Sequence, residues 1–310
     1  MNLRALMYFD EVVRTNSMRA AAENLNVAAT AVSRQIENLE EHFGAQLVER
    51  TNRGIRLTAA GRLLADRAGR TLRELEHVHQ LINDLQGLEG GKVVIYANGA
   101  TVANVIAPVL AQFSLRHPKL RFEVAITSAR QAIEALGSGD ADLAVSLFAP
   151  STAGVKLRLR SEIVYDVIVS ANHPSAKASD IPLEQLARMP LALPERGFAA
   201  RQAIEDIFAR ERIDLDPVFV SSSVEMLKEL VLRGAAVTLL PALSVQREIE
   251  GGLLAAVPVA DGKAVHTSID LCVSSDRQLS HAANALVEFI EEHMAKARKT
   301  QTWHLGSRPV

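Results

Sequence analysis

Thr30, Ser33, Arg34 and Asn38 bring two hydroxyls, a guanidinium and a carboxamide close together in the chain, with the methyl of Ala31 among them. Groups of these kinds hydrogen-bond to or touch base edges in the major groove of duplex DNA. At a helix start, hydroxyls and amides also meet phosphates, aided by the helix dipole. Arg50 and Arg53 follow on a short turn, from which arginines reach the phosphate backbone or a narrow minor groove. A single arginine is more often a solvated surface charge. Arg34 and Arg53 together, in this setting, favour contact with DNA.

A second constellation carries less charge and lies later in the chain. Asn98, Gly99, Ala100 and Thr101 follow one apolar run, and Thr127 and Ser128 follow the next. Phe198, Arg201 and Ser222 hold corresponding places in the later half. In α/β units, ligands sit beyond the carboxyl ends of the strands, and the open N–H groups of a following helix suit an anion. Ordinary helix capping accounts for each hydroxyl by itself. The set predicts a site for a carboxylate or other small anion. Other chemistry is not legible: His77 and His79 point to different faces of one helix, so no metal site is expected. Gly137-Ser138-Gly139-Asp140 follows a helix rather than a strand, unlike a phosphate loop. Asp140 and Asp142 suit a turn better than acid–base work. No nucleophile arrangement and no cofactor site is readable.

The elements that must position these groups fall into three regions. Across 1–58 the pattern is short helices and tight turns. Leu6, Phe9 and Val13 have helical spacing, and Ser17 can cap a second helix through Leu25. After a turn at Asn26-Val27, Thr30 can cap a third helix to Phe43, with Val32, Ile36, Leu39 and Phe43 as its buried stripe and Gly44 as its stop. Burying that stripe leaves Thr30, Ala31, Ser33, Arg34 and Asn38 outside. Leu47-Val48 and Ile55–Leu57 read as a hairpin. From Thr58 to about Leu88, Leu64, Ala68, Thr71, Leu75, Val78, Ile82 and Leu85 alternate by four and three, a seam for a partner helix. About 30 residues at ~1.5 Å each give a rod of roughly 45 Å. The seam either packs on the chain's own core or pairs with a second copy, and the second is favoured because the flanking segments look complete.

From Lys92 onward, strands alternate with helices. Val93–Tyr96, Arg121–Ile126, Leu143–Leu147, Val164–Val169, Leu191–Leu193, Val218–Val220, Val237–Leu240 and Ile269–Val273 read as strands. Ala103–Leu115, Ala200–Arg212, Val224–Arg233 and Leu279–Ala297 read as helices. The alternation predicts largely parallel sheets covered by helices, as one large sheet or two lobes.

The 310 residues allow two or three domains, and 48% hydrophobic residues allow sizeable cores. A net charge of −2 argues against a coat of nucleic acid. Residues 1–58 hold seven arginines, no lysine and seven acids. Any DNA contact there depends on aimed arginines, not on a general basic field. The single cysteine, Cys272, cannot form an internal disulfide. The N-terminus lacks the apolar core of a signal peptide, and the run around Ala235–Val245 contains Pro241 and is too short to span a bilayer. A cytoplasmic location is expected.

The most specific signal is the stretch SMRAAAENLNVAATAVSRQIENLEEHFGAQLVERTNRGIRLTAAG, residues 17–61. It resembles the LysR-type transcriptional regulators at Ala21, Ala22, Leu25, Val27, Ser33, Arg34, Gln35, Ile36, Leu39, Glu40, Gly44, Leu47, Arg50, Arg53, Leu57, Thr58 and Gly61. A weaker likeness continues through Pro108, His117-Pro118, Gly139, Asp142, His173-Pro174, Gly234 and Leu240-Pro241. The resemblance implies an α/β protein with a winged helix-turn-helix over 1–58 and a linker and dimerisation helix over 59–89. It further implies a two-lobed effector-binding domain over 90–300, similar to periplasmic binding proteins, and a tail over 301–310. Its lobes would take about 92–162 with 267–298, and 163–266. Implied partners are double-stranded DNA, a small-molecule effector, a homodimer or tetramer and, for an activator, RNA polymerase. Relatives commonly start the recognition helix with Ser-Gln-Pro. Here Ala28-Ala29-Thr30 replaces it, exchanging a glutamine that could read adenine for methyls that could touch thymine. Val48 stands where a phenylalanine is usual. An α/β enzyme or a passive solute-binding protein is the alternative reading. The first predicts turnover and the second predicts no salt-dependent DNA affinity.

Overall fold

Asn2 opens the first helix by accepting from Ala5 N at 2.8 Å. That helix, α1 (Leu3–Thr15), buries Ala5, Leu6, Phe9 and Val12 along one face. Asn16, at φ 52°, turns the chain, and Ser17 caps α2 (Met18–Asn24) through Ala20 N. A second left-handed residue, Asn26, leads into α3 (Ala29–Phe43). The start of α3 differs from expectation. Its N-cap is Ala28, without a side-chain bond, and Thr30 lies inside the helix, so its hydroxyl is not the cap. Val32, Ile36 and Leu39 are buried as expected, but Phe43 is 46% exposed. Four residues beyond Leu39 add ~6 Å of rise, which carries the helix past the small core. Gly44, at φ 62°, ends it.

Strands β1 (Val48–Thr51) and β2 (Gly54–Leu57) pair antiparallel, Val48 opposite Leu57. The structure describes residues 2–51, 54–85 and 90–299, so Arg53 at the hairpin tip lies outside the described residues. The Glu40 carboxylate accepts from Leu47 N (2.7 Å) and Val48 N (3.2 Å), tying the hairpin to α3. Thr58 then opens α4 (Ala59–Leu85), accepting from Gly61 N and donating to Gln46 O. A Cβ on Gly61 would lie 2.0 Å from Leu47 O, so no side chain fits there. The seam on α4 divides. Ala68, with Leu64 and Leu72 partly buried, joins the core formed with α1 and α3. Leu75, Val78, Ile82 and Leu85 are 44%, 40%, 47% and 88% exposed. The first half of the seam packs on the chain's own core, and the second half is left uncovered.

The chain divides into two units between Gln86 and Gly87. In this computed structural model the second unit begins with β3 (Gly91–Ala97), which pairs parallel with both β4 (Leu120–Ile126) and β5 (Leu143–Leu147). Helices α5 (Ala107–Arg116) and α6 (Ala129–Ser138) make the crossovers. Strand β6 (Val155–Val164) then runs to a crossing at Tyr165 and into β7 (Asp166–Ser170). The second group of elements holds α7 (Leu183–Leu186), β8 (Ala192–Pro194), α8 (Ala199–Arg210), β9 (Phe219–Ser221) and α9 (Val224–Leu232). It continues with β10 (Thr238–Leu240), α10 (Gln246–Glu250) and β11 (Leu254–Val257). The chain crosses back into β12 (His266–Ser274) and closes with α11 (His281–Lys299).

The first sheet has the order β4-β3-β5-β12-β6, and β12 runs antiparallel to both neighbours. In the second group, β7 pairs antiparallel with β10 and β11, while β8 and β9 pair parallel. The expectation of largely parallel sheets is therefore corrected to mixed ones. A strand returning after the second crossing enters the first sheet from the opposite end, so it must run antiparallel.

Candidate nucleic-acid interface and effector cleft

On α3, burial of Val32, Ile36 and Leu39 fixes which side faces out. Thr30, Arg34 and Asn38, four residues apart, are all exposed, with Ala31 and Ser33 half-exposed beside them. All five candidate residues of the helix therefore lie off its buried stripe. The surrounding charges are largely spoken for. Arg14 pairs with Glu11 at 2.5 Å, Arg19 with Glu23 at 3.1 Å and Arg56 with Glu49 at 2.5 Å. Arg62 donates to Leu57 O. The Arg34 guanidinium has no partner among the described residues, so it projects an uncompensated cation from the middle of the exposed face. Arg50 lies on β1, one residue from the end of the strand, and Arg53 lies outside the described residues.

The second unit holds a cleft of about 750 Å³ between its two groups of elements. Asn98, Gly99, Ala100, Thr127 and Ser128 line it from one side, and Phe198 and Ser222 from the other. Two candidates are corrected. Thr101 is fully buried, and its Oγ1 donates to Asn98 O. Arg201 is 4% exposed and does not reach the cleft. Its Nε donates to Glu205 at 2.8 Å and its Nη1 to Pro194 O at 3.3 Å, so it braces α8 against β8. Burial pushes the Glu205 carboxyl up, but hydrogen bonds from Arg201 and Arg196 outweigh it and hold it below its ordinary value.

The segment after β3 also departs from expectation. Gly99–Thr101 is a 3-10 turn and Val102–Ile106 a π turn before α5 begins. Asn98 itself accepts from Ala100 N on its side chain and from Thr101 N on its carbonyl. The amides expected to serve an anion there are mostly consumed locally. The Thr127 and Ser128 hydroxyls both donate to Gln131 Oε1, at 2.5 and 3.0 Å, within the capping box of α6. Ser222 is exposed, with no hydrogen-bond partner for its hydroxyl among the described residues.

Several lining residues escaped the sequence reading. Lys228, the one lysine or arginine among the lining residues, bonds Glu225 at 2.7 Å and Glu248 at 3.0 Å. Burial lowers its affinity for the proton, but the two carboxylates more than offset this, so its ammonium is held above the ordinary value. Phe148 lines the cleft at φ 55°, a left-handed conformation that costs a bulky residue about 1–2 kcal/mol. Its ring packs on Tyr165, centroids 6.2 Å apart. Such strain gathers at ligand sites. An isolated phenylalanine or tyrosine gives no such signal in sequence.

Two family models match the chain, and their spans follow these two surfaces. Residues 3–62 match the bacterial regulatory helix-turn-helix protein of the lysR family, and residues 86–295 match the LysR substrate binding domain. The chain belongs to the LysR family. Among its relatives, the HTH-type transcriptional activator CmpR of Synechocystis sp. is 29% identical over 92% of this chain and 93% of its own. The RuBisCO operon transcriptional regulator of Allochromatium vinosum is 29% identical over 95% and 97%. In fold the chain is similar to full-length CbnR, solved in complex with its target DNA, at TM-score 0.71 and 22% identity over 96% of this chain and all of that one. As a LysR-family protein it is a transcriptional regulator with a DNA-binding helix-turn-helix, not an enzyme. No helix among the described residues is long and apolar enough to cross a membrane.

Proposed function

We propose that this LysR-family regulator reads duplex DNA with the exposed face of α3 and is switched by a small anion in the cleft of its second unit. Thr30, Ala31, Ser33, Arg34 and Asn38 enter the major groove, while Arg50 and Arg53 on the hairpin take the backbone or the minor groove. The observation that carries this reading is Arg34, exposed on the face opposite Val32, Ile36 and Leu39 and unpaired while its neighbours are neutralised. Residues 1–58 serve as the DNA-binding domain, 59–89 as the linker and 90–300 as the effector-binding domain. The apolar second half of α4 joins two copies, setting paired recognition helices on a dyad-like site. Effector binding favours one arrangement of subunits, by as much as its affinity differs between them. RNA polymerase is a partner if the protein activates, and the cytoplasm is where such a regulator meets its DNA.

Fluorescence anisotropy on duplexes selected by the protein from a random-sequence pool tests the reading. Wild type binds with salt-dependent affinity, and an Arg34→Ala, Arg53→Ala double variant loses at least tenfold. Undiminished binding by the double variant refutes the contact assignment.

A further inference from the structure

Tyr165 occupies the point where the chain passes from β6 into β7, between the two lobes. Its backbone N–H donates to Val265 O at 2.9 Å, and Val265 immediately precedes β12 on the return crossing. The residue is 2% exposed, yet it lines the cleft. Nearby buried polar side chains are satisfied: Thr101 by Asn98 O, Thr238 by Ala192 O, Ser244 by Ala100 O, Arg201 by Glu205 and Pro194 O. The Tyr165 hydroxyl has no partner among the described residues, and it is not among the atoms sealed in the core. On a residue this buried, a hydroxyl that has no protein acceptor and is not sealed from the cleft leaves a hydrogen-bonding position for a ligand or water. Burial raises the phenol's resistance to deprotonation, so it remains a donor throughout the neutral range.

Three helices open on the same cleft. Ala129 begins α6, Ala199 begins α8 and Val224 begins α9, and all three residues line the wall. Helix geometry leaves the first-turn N–H groups without intrahelical acceptors. In α6 and α9 a serine takes one of them, and in α8 no side chain does. The one lining cation, Lys228, is already bonded to two carboxylates. Recognition here rests on neutral donors at two places, the helix starts and the phenol.

We infer that Tyr165 is a specificity-determining residue of the cleft, and that the ligand is a small carboxylate carrying a second oxygen group that accepts the Tyr165 hydroxyl. The carboxylate sits at the helix starts, and the second oxygen engages the phenol at the crossing, so one molecule bonds to both lobes beside their connection. This inference rests on the proposal that the cleft holds an effector.

Isothermal titration of the full chain uses matched acids, butanoate with succinate and benzoate with phthalate, and xylose as a neutral control. In at least one pair the second carboxylate tightens binding to wild type by tenfold or more, and Tyr165→Phe abolishes that gain while keeping the weaker binding of the simpler acid. Because the variant deletes an unpaired hydroxyl and keeps the ring against Phe148, its ligand-free melting temperature does not fall. Equal gains in wild type and Tyr165→Phe overturn the assignment of Tyr165. Binding of xylose alone, or of no probe, overturns the ligand class. A Ser222→Trp variant, which fills the cleft, separates the two levels: if the acids still bind it with wild-type affinity, the cleft reading itself fails. If Ser222→Trp abolishes binding and Tyr165→Phe leaves it unchanged, only the role of Tyr165 fails.

Discussion

The exposed face of α3 and the cleft of the second unit handle charge in opposite ways. Around that helix, on α1, α2 and the hairpin, Glu11, Glu23 and Glu49 absorb three arginines, while Arg34 on α3 has no partner among the described residues. In the cleft, Lys228 is neutralised by Glu225 and Glu248, Arg201 is withdrawn into a brace, and hydroxyls, a phenol and helix starts line the cavity beside the Lys228–Glu225 pair. A bare cation on an open surface suits a polyanion whose counterions it displaces. Oriented neutral donors in a recess suit a small ligand, because they need no compensating charge when the site is empty. The same residue type, arginine, is thus an unpaired surface cation in one unit and a strut in the other. Sequence position alone does not tell them apart.

The largest effect expected of this division comes from the link between the two functions. Replacing Leu75, Val78 and Ile82 together by Glu charges the uncovered half of α4. It yields a monomer in sedimentation and weakens DNA binding by about 100-fold through lost avidity. A variant that remains dimeric would remove α4 as the joining surface. Arg201→Met comes next. It leaves Glu205 and Pro194 O short of a partner and destabilises the protein by roughly 2–3 kcal/mol in urea unfolding. The DNA affinity of the folded protein does not change. That stability also depends on pH. The Glu205 carboxyl is held below its ordinary 4.5 in the folded chain, so its contribution is complete above that value and fades as acid protonates it. Unfolding curves of wild type and Glu205→Gln should therefore differ most above pH 5 and converge on acidification.

Arg34→Ala should sharpen the contrast from the other side. Affinity falls about tenfold and the salt dependence of binding becomes shallower by about one ion. The melting temperature stays put, because an exposed unpaired side chain braces nothing. A drop in melting temperature would move Arg34 into the same class as Arg201. The smallest effect concerns Cys272. Burial first, and then Asp270 nearby, push its thiol up to about 12. At pH 8 only about 10⁻⁴ of it is thiolate, so a thiol reagent should not label the native protein until urea unfolds it.

Much of the first unit was legible because helical stripes on short helices leave few arrangements. Val32, Ile36 and Leu39 fixed the inner side of α3 and, by subtraction, its outer side. Phe43 and Thr30 were misread for reasons of length and register that spacing does not carry. In the second unit, the strands that end in polar residues pointed to one shared cleft, which Asn98, Thr127, Ser128, Phe198 and Ser222 line. Arg201 and Thr101 failed because one residue along a helix start decides between wall and core. Strand β6 was missed although Val155, Leu157 and Leu159 alternate with Lys156, Arg158 and Arg160, a plain period of two. Tyr165 and Lys228 were invisible, since their significance lies in which partners they have, not in their neighbours in sequence.

The sharpest test of the α3 assignment is a photo-crosslinker attached at Ala31→Cys and, for comparison, at Arg70→Cys on α4. Both are bound to DNA selected from a random pool. The outward face of α3 predicts crosslinks to bases within each half-site from position 31 and none to bases from position 70. DNA bound with full affinity but crosslinked to no base from position 31 would contradict it.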